Sequence, residues 1–153
     1  MSVTHQYVTS YKSKTDLLNF IKTSEFLLKN IEMLGEEDYR FEPDITKEKY
    51  IKWPVSLLYK GIPKSLPFLA GMQIPETSIE SKFRLEDDEL FCDTTINFSG
   101  MVLCFKLKLT ITDAGEFQKI IISFVDPDSL LIPNPLLQKI ISSNDDVLEK
   151  IFG

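Results

Sequence analysis

The sequence predicts a single α+β domain in which an antiparallel sheet is covered on one face by helices. Three observations predict this class. The composition is that of an ordinary globular domain, with 43% hydrophobic and 26% charged residues in a chain of 153. Strand-like alternation dominates the second half of the chain, and the last segment changes to helical spacing. No repeat, low-complexity tract or linker divides the sequence, which predicts one domain over residues 1–153.

The N-terminal part predicts one strand followed by two short helices. The segment "VTHQYVTSY", residues 3–11, is rich in β-branched and aromatic residues. Ser13 or Thr15 can cap the first helix, because either hydroxyl can accept a hydrogen bond from a free N–H group of the first turn. The apolar stripe of "DLLNFI" is interrupted by "KTS" before "EFLLKNI" begins. This interruption favours two helices over one, with Ser24 as the cap of the second.

Four strands are predicted between Thr77 and Asp126, because apolar and polar residues alternate throughout this region. The clearest alternation is "MVLCFKLKLTIT", residues 101–112, and "EDDE" and "DAG" predict turns. The earlier segments "YRFEPD" and "EKYIKWPVSLLYK" also have strand-like composition, but Pro43 and Pro54 confine them to edges or bends. The four later strands predict an antiparallel meander with one apolar face.

The C-terminal segment predicts an amphipathic helix. Asn134 before Pro135 is a favourable start, since Asn is a good cap and Pro a good first helical residue. Leu and Ile residues then recur at helical spacing on both sides of "SSNDD", which can kink the helix or cap it again. Such a wide apolar stripe needs a sheet to cover it.

The charge balance argues against nucleic-acid binding. The net charge is −6, from 23 acidic and 17 basic side chains, and the lysines are spaced singly instead of forming the basic face that phosphate binding needs. An anionic membrane would not attract this chain by charge, so at most transient apolar contact with a membrane is predicted. No nucleic-acid partner is predicted.

The sequence predicts a cytoplasmic protein. No run approaches the roughly 20 apolar residues that span a bilayer. The first segment, "MSVTHQYVTSYKSK", lacks the apolar centre of a signal peptide. Cys92 and Cys104 are the only cysteines, so a disulfide framework is not required. Both are expected to act as small hydrophobic residues near the sheet.

The order of these elements resembles the START-like, or helix-grip, superfamily, which includes the birch-pollen-allergen and polyketide-cyclase families. Two stretches carry the resemblance: "TDLLNFIKTSEFLLKNI", which is similar to the paired helices after the first strand, and the strand series closed by "NPLLQKIISSNDDVLEKIF". The resemblance implies a curved antiparallel sheet wrapped around a C-terminal helix, with two short helices after the first strand. It also implies a cavity between sheet and helix that holds lipids, sterols or other apolar molecules.

On that fold, the resemblance places a set of mostly apolar residues around the ligand. The candidate ligand-binding residues are Trp53, Leu66, Phe68, Leu69, Met72, Phe83, Thr94, Ile96, Phe105, Leu107, Ile122, Phe124, Leu137 and Ile141. Thr94 could orient a polar head group, as could Arg40, Tyr59 or Lys60 near the opening. The alternative is that the two apolar faces simply pack against each other, since close-packed interiors are the rule.

The segment "GIPKSLPFLAGMQIP", residues 61–75, combines breakers of regular structure with the apolar content of a core strand. We expect it to fold inward as a lid over the cavity, with Gly61 and Gly71 as hinges. An ordinary plug of core contacts is the alternative. Its apolar surface would also allow a homodimer.

The sequence offers little catalytic chemistry. His5 is the only histidine, and the carboxylates fall mostly in turns. The segment "DDELFCD" lacks the spacing of a calcium loop, and no glycine-rich phosphate loop is present. We therefore predict no metal, no cofactor and no catalysis, and a carrier that shelters a fatty acid or similar single-chain lipid. The alternatives are a cyclase or hydrolase on the same fold, or a ligand-free interaction module that uses residues 61–75.

Overall fold

A computed structural model describes residues 3–32, 34–35, 38–64, 73–143 and 145–153 of the chain. Four helices and a short 3-10 turn accompany the strands in the described residues. In chain order the elements are β1 (Thr4–Val8), α1 (Lys14–Ile21), α2 (Ser24–Asn30), β2 (Asp38–Glu42), β3 (Val55–Gly61), β4 (Thr77–Glu86), β5 (Glu89–Phe98), β6 (Met101–Ala114), β7 (Phe117–Phe124), the turn Pro127–Ser129, α3 (Asn134–Ser142) and α4 (Asp145–Phe152).

The described strands form one antiparallel seven-stranded sheet in the order β1-β7-β6-β5-β4-β3-β2. Strands β2 to β7 therefore follow one another as a meander. Strand β1 joins the far edge beside β7, and α1 and α2 lie in the chain between the two edges of the sheet. The predicted α+β class, with an antiparallel sheet and helices at the C-terminus, is confirmed.

The strand register gathers the apolar side chains on one face of the sheet. Phe83, Cys92 and Leu107 stand side by side in one cross-strand row, as the pairing of β4, β5 and β6 requires. Side chains alternate between the two faces of a strand, so the charged residues between these positions lie on the opposite face. We call the apolar side the inner face and the charged side the outer face.

The starts of α1 and α2 are set by different contacts. Ser13 caps α1, and its hydroxyl accepts a hydrogen bond from the Asp16 N–H at 3.3 Å, whereas Thr15 lies within the helix. The prediction that Ser24 caps α2 is wrong. Ser24 is the first residue of that helix, and its hydroxyl donates to the Glu48 carbonyl at 2.8 Å, because the segment leading to β3 runs alongside.

The C-terminal segment forms two helices, α3 and α4, on either side of residue 144. Asn134 is the first residue of α3 and does not cap it; the position before the helix belongs to Pro133. The Pro133 carbonyl accepts the N–H groups of Leu136 and Leu137 instead. Two acidic residues, Asp145 and Asp146, lie in the first turn of α4. Negative charge at this end of a helix interacts favourably with the helix dipole.

Polar contacts fix the C-terminal helices against the N-terminal part of the chain. The Gln138 side-chain amide donates to the Thr4 carbonyl at 3.0 Å, and the His5 Nε2 lies 2.6 Å from the Asp145 carboxylate. At the end of α4, the Ser10 hydroxyl donates to the Phe152 carbonyl at 3.1 Å. The two helices are therefore held over the inner face at the β1 edge.

Most of the segment expected to form a lid, residues 65–72, lies outside the described residues. The candidate ligand residues Leu66, Phe68, Leu69 and Met72 fall in this range. None of the helices in the described part of the chain combines the length and the apolar character that crossing a membrane requires.

Candidate functional site

A cavity of about 260 Å³ lies between the inner face of the sheet and the helices that cover it. Strands β2 to β7 form one wall, and side chains of α2, α3 and α4 form the other. Phe26 and Leu27 reach it from α2, and Leu148, Ile151 and Phe152 reach it from α4. The sheet and the helices thus border a space between them that is partly open to solvent.

The predicted ligand residues divide into three groups. Eight of them line the cavity together: Phe83, Thr94, Ile96, Phe105, Leu107, Ile122, Phe124 and Ile141. Two described residues do not line it, because Leu137 is wholly buried in the core and Trp53 packs against the core in the bend before β3. The remaining four lie outside the described residues, as stated above.

Several side chains of the inner face are not fully covered by the other described residues. Phe83, Cys92, Leu107 and Ile122 are only half-buried, although they occupy inner positions of a sheet that helices cover. All four line the cavity, which accounts for their remaining exposed surface. In contrast, Ile96, which also lines the cavity, is 4% exposed.

A small polar cluster interrupts the apolar lining. Ser81 and Thr94 are directly opposite each other on β4 and β5, and their hydroxyl oxygens are 3.0 Å apart. The Cys92 Sγ lies 3.2 Å from the Thr94 Oγ1. Burial raises the pKa of the Cys92 thiol to about 11, and hydrogen bonds from the Thr94 and Ser81 hydroxyls offset only part of that effect. We call these three residues the hydroxyl–thiol cluster.

The described lining contains a single charged side chain. Among the described residues that form it, no Asp, Glu or His occurs, and Lys108 is the one charged residue. Lys108 alternates with the inner-face residues Leu107 and Leu109, and its ammonium lies 3.6 Å from the Glu89 carboxylate. Its charge is therefore compensated on the outer face. The Asn30 amide donates to the Phe26 carbonyl at 2.7 Å.

The basic residues expected near the opening form ion pairs elsewhere. The Arg40 Nε is 2.9 Å from the Glu42 carboxylate, and the Lys60 Nζ is 3.9 Å from that of Glu76. Both basic side chains lie on the outer face. The hydroxyl of Tyr59 is buried and donates to the Leu34 carbonyl at 3.1 Å. None of these three residues is among the described residues that line the cavity.

The sequence reasoning missed two members of the hydroxyl–thiol cluster as ligand residues, Ser81 and Cys92. The signal for Ser81 was present, because a serine between Ile79 and Phe83 on the apolar side of an alternating strand breaks the pattern. The contributions of α2 and α4 were also missed. Their apolar stripes showed that they face the sheet, but not that the cavity extends beneath them.

A second hollow, of about 310 Å³, lies where the turn after β7 approaches the middle of β5 and the first half of β6. It is lined in part by Asp93, Lys106 and Asp126. Asp93 and Lys106 face each other across the strand pair, so opposite charges meet there. The apolar lining of this hollow is smaller than that of the first cavity, so it is less suited to an apolar ligand.

In the described ranges, no group of three or more His, Cys, Asp or Glu side chains is arranged to hold a metal ion. No family model matches the chain, and no curated protein matches it at a significant level.

Proposed function

We propose that this protein is a non-catalytic binding or carrier protein that holds a hydrophobic small molecule, such as a fatty acid or a similar single-chain lipid, between its sheet and its C-terminal helices. The binding would be non-covalent, and burial of apolar surface would supply about 25 cal/mol per Å² of affinity. The proposal extends to the START-like, helix-grip identity of the fold, which the order of the elements supports, and to a cytoplasmic location.

One observation carries the proposal: the half-buried apolar residues of the inner face that line the cavity. A sheet covered by helices normally packs tightly, since protein interiors are as dense as organic crystals. Here Phe83, Leu107 and Ile122 retain exposed surface and line a cavity of about 260 Å³. An apolar ligand would bury this surface, which the side chains of the described residues leave partly uncovered.

The size of the cavity favours a small or medium-length ligand. Pockets for small molecules measure roughly 300–1,000 Å³, and an apolar cavity of about 150 Å³ already binds benzene. The volume of about 260 Å³ lies between these sizes. A single acyl chain of medium length suits it better than a sterol or a two-chain lipid.

The alternative of a cyclase or hydrolase on the same fold has less support. Such an enzyme needs an acid or base within hydrogen-bonding distance of its substrate. The described lining offers hydroxyls, a thiol with a raised pKa and one outward-facing lysine. His5, which could act as a base, lies beside Asp145 at the edge of the sheet instead.

The alternative of a ligand-free interaction module is favoured by one observation. Met101 and Val102, at the turn between β5 and β6, are 62% and 61% exposed, and Ile62 after β3 is 59% exposed. These apolar side chains lie at one end of the sheet, because Gly61, Thr77, Phe98 and Met101 are successive partners in the strand register. A dimer through this end would leave the cavity without a role.

Native mass spectrometry of the purified protein, followed by solvent extraction, tests the carrier proposal. We expect a copurifying apolar molecule, or saturable binding of the fluorophore phenylnaphthylamine to protein freed of lipid, at one site per chain. A protein that carries no lipid and does not bind the fluorophore would contradict the proposal. If that protein also dimerised, the interaction module would replace it.

A further inference from the structure

The hydroxyl–thiol cluster narrows the class of ligand, and this inference rests on the carrier proposal above. Ser81, Thr94 and Cys92 occupy adjacent inner positions of β4 and β5, and all three line the cavity. Ser81 and Thr94 share one cross-strand row, and Cys92 stands in the next row, between Phe83 and Leu107. The row on the other side of Ser81 and Thr94 contains Ile79 and Ile96. The cluster is thus a polar point within an apolar wall.

The cluster has unused hydrogen-bonding capacity. Its two hydroxyls and one thiol carry three hydrogens that can be donated. Two contacts join the groups, Ser81 to Thr94 at 3.0 Å and Cys92 to Thr94 at 3.2 Å. The Ser81 hydroxyl also hydrogen-bonds to the Cys92 thiol, so the three hydrogens can all be used within the cluster. A hydroxyl can nevertheless turn its hydrogen from one of these contacts to a ligand oxygen, and its lone pairs can accept from a ligand O–H group.

The cluster has no positive charge to offer. The ammonium of Lys108, the one cation among the described lining residues, pairs with Glu89 on the outer face. An ionised carboxylate at the cluster would be buried without a partner charge, which is strongly unfavourable. The raised pKa of the Cys92 thiol has the same cause, since this environment also disfavours the thiolate.

We infer that the ligand binds with an uncharged oxygen group, such as an alcohol or a carbonyl, against Ser81 and Thr94, and that its hydrocarbon chain fills the rest of the cavity. Among single-chain lipids this selects neutral ones, such as a fatty alcohol, aldehyde or ester, over an ionised fatty acid. The hydroxyl–thiol cluster is then the group that determines specificity, and the apolar lining supplies the affinity.

The test compares decanol with decanoate, both measured at neutral pH by displacement of phenylnaphthylamine. We expect decanol to bind at least about tenfold more tightly than decanoate, because only the carboxylate must give up its hydration without a counter-charge. Thr94→Val removes the hydroxyl at nearly constant shape. We expect it to weaken decanol binding by about three- to tenfold, which is the effect of one hydrogen bond, with little effect on the fluorophore.

Thr95, the residue after Thr94 on β5, provides a matched control. Thr95 lies on the outer face, where its hydroxyl is 3.7 Å from the Cys104 sulfur, so Thr95→Val should leave decanol binding unchanged. A second pair of variants, on β4, tests whether a loss of binding reflects the missing hydroxyl or a misfolded protein. Ser81→Ala should weaken decanol binding as Thr94→Val does, and Ser78→Ala, on the exposed face of the same strand, should not.

The outcomes separate the two proposals. If decanoate binds as tightly as decanol, or if Thr94→Val and Ser81→Ala leave the preference for decanol unchanged, the neutral-ligand inference is overturned while fluorophore binding keeps the carrier proposal intact. If neither the fluorophore nor either ligand binds the wild-type protein, the carrier proposal fails and this inference fails with it.

Discussion

The Cys92 side chain keeps exposed surface, yet its thiol is strongly desolvated. The residue is only half-buried, but burial is the main cause that raises the pKa of its thiol to about 11. Cys92 lines the cavity, so part of the surface that it exposes borders that space. At the scale of the residue, the reactivity of the Cys92 thiol is therefore a probe of the cavity.

This environment predicts slow alkylation of Cys92. Only the thiolate attacks iodoacetamide, and a thiol with a pKa of about 11 is roughly 0.1% ionised at pH 8. We expect Cys104, which is exposed, to be modified far faster in the folded protein, as followed by mass spectrometry of the peptides. The rate at Cys92 should rise with pH up to about 11, since the thiolate becomes the main form only there.

Alkylation in urea provides the control, because unfolding removes the desolvation and both cysteines should then react at similar rates. Equal rates at Cys92 and Cys104 in the folded protein at pH 8 would contradict the buried position of the thiol. Protection of Cys92 by bound decanol would add direct evidence that the ligand occupies the space beside it.

At the scale of the elements, local signals predicted the regular strands well and the helix ends less well. Strands β4 to β7 were predicted because apolar and polar residues alternate over many positions, and one face of each strand is more buried than the other. The segment "EKYIKWPVSLLYK", whose composition is strand-like, forms a strand only from Val55. The residues before Val55 contact the start of α2 instead, through a bridge between Tyr50 and Thr23. The same contact gives the Ser24 hydroxyl another partner. Such contacts join distant segments and leave no local pattern.

The cap of α1 allows a direct test of the two candidates that the sequence left open. The Ser13 hydroxyl accepts the Asp16 N–H, so Ser13→Ala should lower the free energy of unfolding by about 1 kcal/mol. Thr15 is exposed within the helix, so Thr15→Ala should be neutral or slightly stabilising, because Ala has the higher helix propensity. Urea unfolding of both variants measures the difference. A larger loss with Thr15→Ala would show that the cap is assigned to the wrong residue.

At the scale of the whole molecule, the sequence predicted which residues face inward but not how well they pack. Seven of the candidate residues line one cavity from the strands because the period of a strand fixes its faces, and Ile141 joins them from α3. Leu137 belongs to the same apolar class, yet it is wholly buried away from the cavity. The difference between Leu107 and Leu137 depends on the fit of helices against strands, which neither residue's neighbours in the sequence reveal.

This difference predicts opposite responses to the same substitution. Leu107→Phe adds volume where the cavity has room, so we expect a change in stability of less than about 1 kcal/mol and a marked loss of phenylnaphthylamine binding. Leu137→Phe adds the same volume to a packed site, where overpacking lowers the free energy of unfolding by roughly 1–3 kcal/mol. The molecules that remain folded should still bind phenylnaphthylamine. Thermal unfolding and fluorophore titration of both variants measure the two effects. Equal destabilisation by the two substitutions would indicate a closed core instead of a binding cavity.

The pairing of the first strand with the last has a consequence for how the protein folds. His5 lies opposite Ile122 in the register, so β1 cannot take its place until nearly the whole sheet has been synthesised. Strands β2 to β7 can assemble in chain order as successive hairpins, and each hairpin closes a comparatively short loop. Pairing β1 with β7 closes a much longer loop and therefore costs more chain entropy. Contacts of this range slow folding. The docking of β1, together with the helices α3 and α4 that rest on its edge, is therefore expected to be the late step that completes the cavity.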